Sequence, residues 1–413
     1  MIGAGPAGLA AAAELRRAGA GRVVVLEREA EPGGIPRHAR HQGFGVRDLH
    51  RLLDGPAYAR TLAERALSAG AELRVSAQVT GWDESGAIEV TEPSGRHRVE
   101  ARAYVLATGC RERPRSARLV PGTRPQGVMT TGMLQQLVHL AGERPGRRAV
   151  VVGAEHVAFS ALLTLRHGGA RAVVMTTEQP RHGSHAALRL GAALRFGVPL
   201  RTRTAATAIR GRRRVEAVEL TDLRSGAVER VECDLVVFTG DWIPDHELAV
   251  LAGAELDRSS RGPRVDDRLR TTRPGLFAAG NVLHGAETAD VAALAGRHVA
   301  ESVLAHLAGA PWPAAGVPIL CEPPLGWIAP NLVRDGGGSP ATPQRRRYVL
   351  RAREELSRPR VALAQDGRTL LELRLRRLGP GRSASLPPAW TSQVHPDRGP
   401  VVARTLTARR PPR

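Results

Sequence analysis

The sequence predicts an α/β chain of two nested Rossmann-like dinucleotide-binding domains with a small β-rich C-terminal appendage, and three observations predict it. A glycine-rich turn opens the chain in "MIGAGPAGLA". The same plan of strand, glycine turn, helix and strand returns about 150 residues later in "RRAVVVGAEHVAFSALLTLRHGGARAVVMTTE". Each copy then closes on a buried-looking strand that runs into Thr-Gly, "AYVLATG" in the first and "DLVVFTG" in the second.

Gly3, Gly5 and Gly8 fit G-x-G-x-x-G. The first permits a tight turn, the second lets backbone approach a diphosphate, and the third lets the following helix pack close to the sheet. Leu9 to Arg17 is rich in Ala and Leu and reads as that helix, its positive end toward the phosphates. "RVVVLE" supplies the next strand and ends in Glu27, about 20 residues beyond the glycines, where a carboxylate takes the hydroxyls of an adenosine ribose. Only Met1 and Ile2 precede Gly3, so the first strand reads as truncated, through a misplaced start or a real loss. Either leaves the sheet without a central strand and weakens cofactor affinity.

A helix follows over about 57–69, then the strand "ELRVSAQVTGW" and a hairpin of "AIEVTE" and "RHRVEA" through "PSGR". "RERPRSARLVPGTRP" reads as a Pro/Arg linker, with a helix beyond it over about 133–141. After Gly240 the chain returns to the first domain through "TTRPGLFAAGNVLHGAETADVAALAGRHVAESVLAHL", a strand, a Gly-Asn turn and a helix. The domains are therefore drawn as 1–115 and 241–310 for the first fold, 116–240 for the second, and 311–413 for a β-rich region with a disordered tail, "TARRPPR". In that last region "VALAQDGRTLLELRL" alternates about Asp366-Gly367 and predicts a hairpin.

The second turn departs from the first. Gly153 keeps the first position and Ala158 is small enough for the third, but Glu155 stands at the second. A side chain there blocks close approach of a diphosphate and its charge repels one, which disfavours NAD(P) and favours a fold kept as scaffold. Glu178 and Arg181 are the residues left to meet a ribose or a 2′-phosphate.

Composition narrows the partners. The 413 residues carry a net charge of +20, which invites a nucleic-acid reading, yet there is no lysine and the arginines are spread along the chain. Aromatics at 3% are too few for base-stacking platforms, so nucleic acid is excluded, and "RGRRR" and "QRRRY" read as solvated turns. No uncharged run of about 18 apolar residues is present, which excludes an integral membrane segment. Cys110, Cys233 and Cys321 form no C-x-x-C and no metal spacing; they indicate a reducing cytoplasm, no metal, and no cysteine relay, with Cys110 a small buried thiol.

The motifs "GAGPAG", "GGIPRH", "ATGCRERPR", "VVGAEHVAFSAL", "FTGDWIPDHEL" and "AAGNVLHGAETADVAALAGRHVA" resemble FAD flavoproteins of the pyridine nucleotide-disulfide oxidoreductase superfamily. Within it the chain is similar to sarcosine oxidase alpha subunits, the hydrogen cyanide synthase flavin subunit, and opine and proline dehydrogenase subunits. The resemblance implies FAD held by Gly3, Gly5, Gly8, Glu27, Gly34, Thr108, Gly109, Gly280 and Asn281, and by the adjoining Pro6, Ala7, Arg28, Val79, Ala107 and Ala289. Asn281 stands where many members carry Asp and can still donate to or accept from a ribityl hydroxyl or a phosphate. The helix beginning near Ala289 turns its positive end toward the flavin ring.

The implied function is hydride transfer from a small amine or amino acid to FAD, the electrons passing to a partner, oxygen or a respiratory carrier within a hetero-oligomer of oxidoreductase subunits. Two alternatives stand beside it: an NAD(P)H-dependent flavoprotein reductase and a non-catalytic flavin-binding or scaffold subunit. Arg37 and Arg297 are the candidates for a fork on a substrate carboxylate, and His38 and His41, just after Gly33-Gly34, for a base or substrate contact. His156 reads as helix surface.

Overall fold

The computed structural model describes residues 1–183, 196–285, 287–313, 316–334 and 348–406. It holds two compact units: Met1–Arg37, Gly43–Cys110 and Pro244–Arg413 in the first, His38–Gln42 and Arg111–Ile243 in the second. The region drawn as a C-terminal appendage is part of the first unit, and residues 38–42 lie in the second. The longer helices described are α1 (Pro6–Arg17), α2 (Gly55–Ser68), α3 (Thr131–His139), α4 (His156–His167) and α5 (Ala289–Leu307). Among the described residues no helix is long and apolar enough to cross a membrane.

In the first unit Val24–Leu26 pairs in parallel with Glu72–Arg74, and Tyr104–Leu106 with Leu276–Ala278. The sheet does not lack its centre, contrary to the expectation from the short N-terminus. Ile2 bridges Leu26 on one side and Leu106 on the other. The Ile2 amide donates to Val105 O (2.9 Å), Leu26 donates to Met1 O (2.9 Å) and Ala107 to Ile2 O (2.8 Å), so three residues occupy the central position with backbone bonds on both flanks. Helices α1 and α5 cross tightly: a Cβ on Gly296 would fall 2.0 Å from Ala7 O, a distance only glycine permits.

The expected 72–82 strand is two strands, Glu72–Arg74 and Gln78–Trp82, broken where Ser76 takes φ 52. The second of these joins Ile88–Glu92 and Gly95–Val99 in an antiparallel sheet. Toward the C-terminus Arg360–Gln365 and Arg368–Arg374 form the expected hairpin, with Asp366 (φ 45) and Gly367 (φ 80) both left-handed as a two-residue turn of this hand requires. They lie in a five-stranded sheet with Val317–Cys321, Leu332–Val333 and Val401–Leu406, over a core that includes Tyr348 and Trp390. The "TARRPPR" tail and residues 344–347 of "QRRRY" lie outside the described residues.

The second unit repeats the parallel plan at full length. Its sheet runs Val128–Thr130, Leu235–Phe238, Arg148–Val152, Arg171–Thr177, Leu200–Thr202. Alternate residues of the central strand face opposite sides: Ala149 and Val151 pack with α4 residues such as Leu162 and Leu165, while Val150 packs with Ile209 and Val218. Those last two come from an antiparallel sheet of Thr204–Gly211, Val215–Asp222 and Val228–Glu232, an element the sequence reading did not assign. "RGRRR" forms the exposed turn of its first hairpin. The 111–125 linker carries a three-residue helical turn, Ser116–Arg118.

Candidate functional site

The first glycine turn is shaped by two glycines and left open by the third. Gly3 has φ +104 and a Cβ on it would lie 2.5 Å from Ala107 O; one on Gly8 would lie 1.9 Å from Gly3 O. Backbone contact alone dictates both. Gly5 is different: its backbone is extended (φ −76) and a Cβ on it meets nothing within 4 Å. It caps α1 without any side-chain bond and is followed by Pro6 at the first helical position, so the N-terminal amides of Ala7 and Gly8 and the positive end of α1 are left to an anion.

The rest of the expected constellation gathers around this turn. The buried Glu27 carboxylate accepts from Ala4 N through Oε2 (2.7 Å) and from Glu29 N through Oε1 (3.0 Å). Gly33 N donates to Ala4 O (2.8 Å), and a Cβ on Gly34 would lie 3.0 Å from Gly5 Cα. Gly280 (φ +79) is pressed on Ala7 in the same way, 2.8 Å from Cβ to Cβ. Thr108 Oγ1 donates to Asp245 O (2.7 Å) and Asp245 N to Gly109 O (3.0 Å), while Gly109 faces open space. Arg28 lies 3.9 Å from the Asp245 carboxylate. Val79 is buried two residues beyond Ala77, whose amide donates to Glu27 O (2.8 Å).

Asn281 serves its own loop. Its Nδ2 donates to Glu287 O (3.1 Å) and its Oδ1 accepts from Glu287 N (3.2 Å). That loop is anchored from the C-terminal strands, where Arg351 lies 3.5 Å from the Glu287 carboxylate and His284 stacks on Trp327 with ring centroids 4.3 Å apart. Burial pulls the His284 imidazole down to about 4, so it is neutral at ordinary pH. Ala289 begins α5, whose cap Thr288 makes no side-chain bond. Asp290, in the first turn, instead accepts from Gly45 N (3.3 Å) and Arg47 N (2.9 Å). Beside it Tyr58 donates to Asp48 (2.8 Å), and burial raises the Asp48 carboxyl. Nothing local in the sequence marks this pair of buried acids.

The expected substrate contacts are placed less simply. Arg37 pairs with Glu29 and, at 3.5 Å, with Glu31, so its charge is already shared. Arg297 donates to Asp48 O (3.1 Å). His38 falls in the second unit, buried, with Nδ1 3.3 Å from Gln135 Oε1, while Gln135 Nε2 donates to Ser160 Oγ (2.8 Å). His41 Nδ1 lies 2.9 Å from Gln42 O. His156 is exposed at the start of α4.

The second turn is filled. Ala154 N donates to Glu155 Oε2 (2.9 Å), Thr239 Oγ1 donates to Glu155 Oε1, and a Cβ on Gly240 would lie 2.6 Å from that same oxygen. Burial raises the Glu155 carboxyl. Below it Glu112 accepts from Gly132 N (2.7 Å) at the start of α3 and from Gly240 N (3.3 Å). Burial pushes Glu112 up to about 7, with the charge of Glu155 adding to the rise. Arg118 completes the group, donating to Thr239 O and Gly240 O (2.8 Å each). Glu112 and Arg118 lie within the motif and linker already noted in the sequence, without a signal that they meet here. Glu178 and Arg181 are exposed.

With both turns described, comparison with known proteins decides the family. Residues 1–296 match the profile described as pyridine nucleotide-disulphide oxidoreductase. The chain belongs to this family. Its two Rossmann-like folds are those of the family. It is 30% identical over 342 residues to an opine oxidase subunit of Agrobacterium tumefaciens (strain Ach5), an alignment that covers 74% of this chain and 65% of that one. It is 32% identical over 189 residues to the sarcosine oxidase alpha subunit of a Corynebacterium (strain P-1), covering 42% of this chain and 19% of that one. The chain thus spans less than two thirds of the length of either relative. Thioredoxin reductase of T. acidophilum superposes with a TM-score of 0.62 over 75% of this chain and 97% of that one, at 20% identity, which shows the shared fold.

Proposed function

We propose that the first unit binds FAD and that the chain is an FAD-dependent oxidoreductase taking a hydride from a small amine or amino acid. The observation that carries this reading is the open cradle at Gly5, flanked by uncapped α1 amides and by Glu27 at the end of its strand. These residues fit an adenine dinucleotide. The diphosphate meets partial positive charge at α1, worth about 0.3–1 kcal/mol per anionic group near a helix start and more in a partly buried geometry. Glu27 is held in place by two main-chain amides and keeps acceptor capacity for ribose hydroxyls. Gly34 and Gly280 give close backbone approach, and the start of α5 favours negative charge near it.

When bound, FAD supplies the hydride acceptor. The substrate loses a hydride from the carbon bearing nitrogen and becomes an iminium ion, which water hydrolyses to a carbonyl compound and a protonated amine. Arg37, His38 and His41 are proposed for substrate contact by their place after Gly33-Gly34. NAD(P) is assigned no part. The amine or amino acid class is supported by the opine oxidase and sarcosine oxidase names of the relatives. Because those relatives are named as subunits, we propose a hetero-oligomer in which electrons pass to a partner, oxygen or a respiratory carrier. The sequence has no C-x-x-C to reduce a disulfide.

The test is spectroscopic. The purified chain, supplied with FAD, is titrated anaerobically with opines, sarcosine, proline and other amino acids, and separately with NADH and NADPH. Bleaching of the flavin band by an amine donor is the expected result. A protein that stays colourless, or whose flavin only a nicotinamide reduces, defeats the reading.

A further inference from the structure

We infer that the second dinucleotide fold carries its own anion: the Glu155 carboxylate stands where a diphosphate would lie, and this fold takes no nicotinamide dinucleotide. The argument rests on the second unit alone and holds whether or not the first binds FAD. Backbone bonds fix the correspondence between the two turns. Gly3 N donates to Leu26 O (2.8 Å) and Gly153 N to Thr176 O (2.8 Å); Ala107 N donates to Ile2 O (2.8 Å) and Thr239 N to Val152 O (3.0 Å). Ala4 therefore matches Ala154, Gly5 matches Glu155, and Glu27 matches Thr177.

Each turn exposes the same amide, that of Ala4 or Ala154, and each satisfies it with a carboxylate. In the first turn the acid reaches in from the neighbouring strand, so the space over Gly5 stays open. In the second the strand end is Thr177, and the acid is inside the turn itself. Its oxygens lie within reach of Ala154 N, Thr239 Oγ1 and the Cβ position of Gly240. Glu112 takes the Gly240 amide and the Gly132 amide at the start of α3. Arg118 takes the carbonyls of Thr239 and Gly240. An incoming diphosphate would find its volume occupied by the Glu155 side chain and a second buried acid, Glu112, beside it, against one guanidinium already committed.

The experiment moves the acid. Glu155→Gly combined with Thr177→Glu gives the second turn the arrangement of the first. Equilibrium dialysis of NADH and NADPH against the intact chain should show no saturable binding by the wild type up to about 5 mM. The double variant should bind at least about tenfold more tightly than that limit. Circular dichroism checks that it is folded. If it is not, Glu155→Ala removes only the carboxylate from a residue in ordinary extended backbone (φ −88) and is read by the same criterion. Saturable wild-type binding below about 5 mM overturns the inference, as does a folded variant that gains none. Flavin colour reports on the first unit separately, so failure there is not confused with failure here.

Discussion

Two parallel sheets stand in this chain and share four strand positions about a central strand, while the outer strand comes last in the chain in the first, Leu276–Ala278, and first in the second, Val128–Thr130. They differ too in how much of the central strand each owns. The second unit spends five residues, Arg148–Val152, on that strand. The first spends Ile2 and its two neighbours, yet the turn that follows forms with the same backbone bonds, Gly3 to Leu26 and Gly153 to Thr176, each 2.8 Å. In both units the turn is held between its flanking strands by these bonds. What distinguishes the two turns chemically is where the acid sits, on the neighbouring strand at Glu27 or inside the turn at Glu155, and with it the room left above the helix start.

That comparison is broken most sharply by Gly5→Glu, which writes the second turn into the first. Gly5 has an ordinary φ and no neighbour at its Cβ position, so the fold should survive, measured by circular dichroism. FAD affinity, read by flavin fluorescence, should fall at least about a hundredfold, roughly 3 kcal/mol. Retained affinity would show that the diphosphate does not sit at Gly5.

A pH experiment sharpens the account of the second turn. The Glu112 carboxyl is raised from an ordinary 4.5 to about 7, so the folded chain prefers it protonated. The stability it contributes is fully present below pH 4.5 and is lost as pH rises through 7. Across that window the wild type should lose up to roughly 3 kcal/mol relative to Glu112→Gln, measured by denaturant unfolding of both proteins at each pH. Parallel pH curves would mean that Glu112 is not protonated in the fold, and with it that the space beneath Glu155 is wetter than the contacts with Gly132 and Gly240 imply.

The smallest effect concerns the third turn position. Ala158 is fully buried in the first turn of α4, where the first unit has a Gly8 on which any Cβ would strike Gly3 O. Ala158→Gly should cost about 1 kcal/mol in thermal or denaturant unfolding. A gain in stability would mean that the Cβ is strained rather than accommodated.

Much of this was legible in the sequence because it is local. Gly3, Gly8, Gly34 and Gly280 are set by backbone hand or by the absence of a Cβ, and Asp366-Gly367 by turn chemistry, all of which are written residue by residue. The shared Thr-Gly endings were legible too, but not their alignment: sheet register matches Thr108 with Gly240 and Gly109 with Asp241, whose φ of 54 is left-handed like that of Gly109. The antiparallel sheet from Thr204 to Glu232 went unassigned although its strands alternate; only its first turn, "RGRRR", reads as one.

By itself, then, the sequence determined the two turns, their helices and the acid at the end of the first unit's second strand. Only the tertiary structure decided which carboxylate reaches which amide: Glu27 to Ala4, Glu155 to Ala154, Glu112 to Gly132 and Gly240, and Asp290 to the Gly45 loop. The physical reason is that a glycine's backbone freedom and missing Cβ are written in the residue type itself, whereas the partner of a buried acid is set by strand register and by desolvation, whether the amide lies one residue away, as Ala154 does from Glu155, or 245 away, as Gly45 does from Asp290.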